Sequence, residues 1–82
     1  MPKKEKGRER VARNFIRNYG RSRFKDLIEG FAKGESGQTL ADEFSVSRER
    51  IRQWKNTFGE VITHYRLFPE IDRILRERRN AS

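Results

Sequence analysis

The sequence predicts an all-α fold, a small bundle of four to five helices. Three observations point there. Apolar residues recur at i, i+3, i+4 and i+7 in several segments, glycine and serine fall where those segments begin and end, and 82 residues suffice for one core and no more. A core of that size is thin, so stability rests on a few large apolar side chains or on dimerisation. With 33% apolar and 39% charged residues, the composition also suggests that part of the chain is not packed.

The first seven residues form a charged stub, expected to be disordered. From Arg8 to Tyr19, the residues Val11, Phe15, Ile16 and Tyr19 share a helical stripe, and Arg8, Arg10, Arg13 and Arg17 fill much of the rest. This reads either as a short amphipathic helix ending at Gly20 or as an arm that orders on a partner. Residues 1–21 are accordingly taken as a basic N-terminal arm and 22–79 as the folded domain. Residues 80–82 are taken as a frayed end.

Within the domain, Ser22 is expected to cap a helix carrying Phe24, Leu27, Ile28 and Phe31, with Gly34 as its stop. Ser36 caps a two-turn helix from Gly37 to Phe44. A turn of Ser45, Val46 and Ser47 follows, and Ser47 caps a third helix from Arg48 to Phe58, ending at Gly59. Residues 60–68 are rich in β-branched and aromatic side chains and are compatible with either a strand or a short helix. Pro69 suits the first position of a last helix, where its missing N–H costs nothing. Ile71, Ile74 and Leu75 line that helix. The stripe they form with Val61, Tyr65 and Phe68 is expected to complete the core and to offer a surface for a homodimer.

Charge gives the first indication of a partner. The net charge is +8, and residues 1–25 hold ten Lys/Arg against two Asp/Glu, whereas residues 26–82 hold ten of each. An excess confined to one end suggests contact with a polyanion, and nucleic acid gains most from it through counterion release. A solubilising tail and a basic helix lying on an anionic membrane are the competing readings. No apolar run approaches the roughly 18 residues of a membrane span, and no signal-peptide stretch follows the basic start. The expected location is therefore cytoplasmic.

The segment from Ser36 to Phe58 carries the pattern of a helix-turn-helix. Two short helices crossing steeply with almost no loop need a small residue at the crossing and apolar residues around it. Ala41 is that small residue, flanked by Leu40 and Phe44. Val46 plugs the turn, and Ile51, Trp54 and Phe58 form the inner face of the second helix. The pattern departs at Ser45, where glycine is frequent because φ is often positive. At about 100° per residue, Glu49, Arg52, Gln53 and Asn56 fall opposite Ile51, with Arg48 and Arg50 on the flanks and Ser47 at the start. Arg, Gln, Asn and Glu are the side chains suited to base edges in the major groove, whereas a merely solvated face favours Lys and Glu. Ser47, Arg48, Glu49, Arg52, Gln53 and Asn56 are therefore the candidate base contacts. Lys3, Lys4, Lys6, Arg8, Arg10, Arg13, Arg21, Arg23, Arg50 and Lys55 are the candidate phosphate contacts. Removing residues 1–21 is then expected to weaken binding to all sequences alike and to flatten its salt dependence.

The run Val46, Arg48, Glu49, Arg50, Ile51, Arg52 and Gln53, with Phe44 before it and Ser36 as cap, resembles the recognition helix in region four of bacterial primary sigma factors. That resemblance implies base reading at Arg48, Glu49 and Gln53 and a backbone contact at Arg52; docking on RNA polymerase is a separate alternative. It covers about a quarter of the chain and breaks at Trp54-Lys55, where sigma factors carry an aliphatic and then an acidic residue. Trp54, Phe58 and Gly59 instead resemble the end of the helix-turn-helix in transposase accessory proteins and some phage regulators. Both resemblances imply duplex DNA as ligand, and they differ on biological role.

Other chemistry finds little footing. His64 is the sole histidine, there is no cysteine, and no metal-ligand spacing surrounds it. No glycine-rich phosphate loop precedes a helix, and no carboxylate sits in a strongly apolar segment. Neither an enzyme, a cofactor nor a small-molecule substrate is expected. Trp54 falls at a core position rather than on a base-stacking platform, which disfavours RNA. The expected function is sequence-specific duplex DNA binding by a small, nucleoid-associated transcriptional regulator. The alternatives are an accessory factor of transposition, recombination or phage packaging, and a protein-docking module on the transcription machinery.

Overall fold

A computed structural model describes residues 3–77, with side chains from Gly7 onward; the expected frayed end at 80–82 and the last two residues of the predicted domain lie outside the described residues. The elements run α1 (Lys3–Tyr19), α2 (Arg21–Lys33), α3 (Gly37–Phe44), α4 (Arg48–Phe58), β1 (Gly59–Val61), β2 (Tyr65–Leu67) and α5 (Pro69–Arg76). Five helices pack around one core, and the only sheet among the described residues is the short antiparallel hairpin of β1 and β2. This is a mostly helical bundle, as the sequence predicts.

Two local expectations change. Helix α1 begins at Lys3, so most of the stub expected to be disordered is its first turn. Helix α2 starts at Arg21 rather than after Ser22. The cause is Gly20, whose φ of 95° and ψ of 159° belong to a region essentially reserved for glycine. Its N–H still bonds the Ile16 carbonyl at 2.7 Å, and its own carbonyl accepts from Phe24 at 3.1 Å. One residue therefore closes α1, opens α2 and turns the chain, leaving no room for a serine cap.

The remaining boundaries fall where side-chain chemistry puts them. Gly34 ends α2 in the left-handed conformation. The Ser36 hydroxyl accepts from the Thr39 N–H at 3.0 Å, and the Ser47 hydroxyl accepts from the Arg50 N–H at 3.1 Å. Each satisfies one of the orphan donors at a helix start. Ser45 takes φ 58° between α3 and α4, and the next residue's N–H bonds the Ala41 carbonyl at 3.0 Å. Pro69 opens α5. Residues 60–68 resolve as the hairpin, pairing Gly59 with Leu67, Glu60 with Arg66 and Val61 with Tyr65.

The core draws on every helix. Phe24, Leu27, Ile28 and Phe31 of α2, Leu40, Ala41 and Phe44 of α3, and Ile51, Trp54 and Phe58 of α4 are all buried. Ala12 and Phe15 join them from α1, and Ile71 and Ile74 from α5. The Phe15 ring meets Trp54 edge-on at 4.9 Å, and Phe24 meets Phe58 at 5.3 Å, the tilted geometries that aromatic quadrupoles favour. Buried Gly30 allows α3 to approach α2, since a Cβ there would come within 2.7 Å of the Leu40 Cδ2. In the stripe expected to serve both core and dimer, Ile71 and Ile74 are spent on the protomer's own interior. Val61 departs from it, lying 60% exposed beside Ile62 at 62%.

Candidate nucleic-acid interface

Helix α4 divides cleanly between two environments. Ile51, Trp54 and Phe58 face the core. Ser47, Arg48, Glu49, Arg50, Arg52, Gln53 and Asn56 are all exposed, and Lys55 is half-buried. All six residues chosen as base contacts thus lie on open surface, on the faces that helical geometry assigns them. Beside this surface, Arg48, Arg52 and Lys55 rim a cleft floored by Phe31, Leu40 and Ile51.

Two exposed side chains on this face are already paired. Arg52 holds Glu49 through both carboxylate oxygens, Nε to Oε1 at 3.2 Å and Nη2 to Oε2 at 2.8 Å. The hydrogen bond from Arg52 is the main reason that the Glu49 carboxyl sits below its ordinary value, while the Arg52 guanidinium is raised in turn. One turn apart on one face, they present a paired, solvent-exposed donor–acceptor unit.

The hairpin fixes the far end of α4. The Tyr65 hydroxyl donates to the Lys55 carbonyl at 2.6 Å, and the Gly59 N–H reaches the same oxygen. Burial raises the Tyr65 phenol above its ordinary value, so it remains a donor. Gly59 matters for contact: a Cβ there would run into the Arg66 carbonyl and the Tyr65 ring. The Phe68 N–H bonds the Phe58 carbonyl at 3.0 Å and closes the base of the hairpin.

The basic N-terminal segment differs from a free arm. Arg8 pairs with Glu70 at 3.0 Å and lies 3.7 Å from the centroid of the Phe68 ring. Arg13 grips Glu77 with two bonds, at 3.2 and 2.8 Å. Arg21 donates to Glu77 and to the Ile74 carbonyl, each at 2.8 Å. Arg23 reaches Asp26 at 3.1 Å and Glu43 at 3.4 Å and covers the Phe44 ring. These four of the expected phosphate contacts are held by carboxylates of the same chain. Arg10 and Arg50 are exposed, and neither joins an ion pair among the described residues. The side chains of Lys3, Lys4 and Lys6 lie outside the described residues.

What the sequence reading left out is the seam between α1 and α4. Asn14, Asn18 and Tyr19 stand beside Arg50 and Trp54, while Gly7 and Val11 stand beside Asn56 and Thr57. The signal was present on the α1 wheel, where Gly7, Val11, Asn14 and Asn18 form one stripe. Its target was invisible without the fold.

His64 is exposed at the hairpin tip, and no group of His, Asp or Glu among the described residues is arranged to hold a metal ion. Among the same residues, no helix is long and apolar enough to cross a membrane. No protein-family model, curated protein or solved structure matches the chain.

Proposed function

We propose that this protein binds duplex DNA in a sequence-specific manner, with α4 as the reading helix in the major groove, and acts as a small transcriptional regulator. The observation that carries this reading is the face of α4. Burying Ile51, Trp54 and Phe58 leaves Arg48, Glu49, Arg52, Gln53 and Asn56 in solvent on one short, capped helix. An α-helix fits the major groove, and arginine and amide side chains pair two-pronged with guanine and adenine edges. The three-residue turn and the serine caps support the reading because they hold α4 rigidly against α3. Arg50 and Arg10 supply charge for backbone phosphates. Docking on a partner protein is favoured by a single feature, the exposed Val61 and Ile62.

Selection from random duplex DNA tests the reading directly, with enrichment of one motif as the expected result. On the selected site, Gln53→Ala or Arg48→Ala should cost about 1–3 kcal/mol and relax preference at one position. Equal losses on selected and random duplexes count against base reading. Retention on a protein partner with no enriched motif supports the docking role instead.

A further inference from the structure

The seam between α1 and α4 contains a polar cleft. Asn14, Asn18 and Tyr19 contribute from α1 and Arg50 from α4, above a floor that includes Phe15 and Trp54. No carboxylate lines it. The Arg50 guanidinium lies 5.8 Å from the centroid of the Trp54 ring. Arg17 donates to the Asn14 Oδ1 at 3.3 Å, which leaves the Asn14 amide nitrogen with donors to offer. Arg10 and Arg17 are exposed on the same helix, on the side of Asn14 away from Asn18 at about 100° per residue, so Arg50 is the cation of the cleft itself. With one guanidinium, three neutral side chains able to donate and no carboxylate, the cleft has the chemistry of an oxyanion seat.

We propose that this cleft seats one backbone phosphate of the duplex that α4 reads. The inference rests on the DNA-binding reading and adds a second contact line to it. The guanidinium of Arg50 supplies charge, and the two amides and the phenol supply neutral donors to the non-bridging oxygens. Such contacts fix the register of a reading helix without carrying sequence information. Because Phe15 anchors α1 in the core, the helix that carries these contacts is already folded onto α4 without DNA.

The double variant Asn14→Asp/Asn18→Asp puts two negative charges in the cleft through near-isosteric, exposed side chains. Fluorescence anisotropy should show its affinity for the selected duplex and for random duplex falling together, on the order of tenfold or more, with sequence preference intact. Arg50→Ala should lower the slope of log affinity against log salt by about 1. Circular dichroism melts establish that both variants are folded. Wild-type affinity in the aspartate variant, or an unchanged slope in Arg50→Ala, overturns the phosphate seat while leaving base reading by α4 intact. Absence of duplex binding by the wild-type chain overturns both. Binding to anionic phospholipid vesicles that the aspartates abolish, with duplex binding unaffected, assigns the cleft to lipid headgroups and overturns the proposal.

Discussion

Ser45 is the residue with positive φ, 58°, among the described residues other than glycine, and it sits at the joint that aims α4. A side-chained residue in the left-handed region costs roughly 1–2 kcal/mol. Glycine avoids that cost but loses more freedom on folding, roughly 0.5–1 kcal/mol. The two effects oppose each other, so Ser45→Gly should raise stability by at most about 1.5 kcal/mol. Ser45→Val should lower it, since a β-branched side chain fits this region worst. Urea unfolding of the two variants checks the order: a glycine midpoint below wild type contradicts a strained joint. The pattern of the motif marks this position in the sequence itself, because Leu40, Ala41, Phe44 and Val46 fix where the turn must fall.

At the scale of elements, α5 and the Glu77 that follows it are held by charge to α1 and to the first residue of α2. Arg8 meets Glu70, Arg13 and Arg21 both meet Glu77, and Arg73 meets Glu9 at 3.2 Å. Hydrogen bonding from Arg13, with help from Arg21, pulls the Glu77 carboxyl down from its ordinary 4.5 to about 2. Its folded value lies below its unfolded one, so the stabilisation is fully present above about pH 4.5 and is lost as the pH falls toward 2. Glu77→Gln should therefore flatten the fall of the thermal midpoint between pH 4.5 and 2, measured by circular dichroism. A midpoint profile identical to wild type removes Glu77 from the account. The carboxylate is partly solvated, so salt should weaken the same junction.

For the whole molecule, the decisive fact is that α1 belongs to the core. Ala12 is fully buried and Phe15 is 2% exposed. Truncating a buried phenylalanine costs about 3–5 kcal/mol, a large share of the 5–15 kcal/mol that holds a domain together. Phe15→Ala should lower the urea midpoint sharply. Deleting residues 1–19 should abolish cooperative unfolding altogether. This replaces the expectation that removing the basic segment only weakens binding and flattens its salt dependence. A cooperatively melting truncated chain would restore the detachable arm.

The stripe of α2, the caps at Ser36 and Ser47, the role of Pro69 and the outward face of α4 were all legible in the sequence. Each depends on residues within a few positions of one another, where helical period and capping chemistry act alone. The docking of α1 was not legible, nor were the partners of its arginines. Arg8 and Glu70 lie 62 positions apart, and Arg13 and Glu77 lie 64 apart. A concentration of positive charge near one terminus reads the same whether those cations are free or paired. Residues 60–68 were likewise open between strand and helix until Tyr65 found the Lys55 carbonyl and Phe68 found Phe58. Local periodicity by itself determined the helices from α2 to α4 and which way the polar face of α4 points. Only the tertiary structure decided which charges remain available to a partner, because pairing a cation with a distant carboxylate requires the chain to have folded around it.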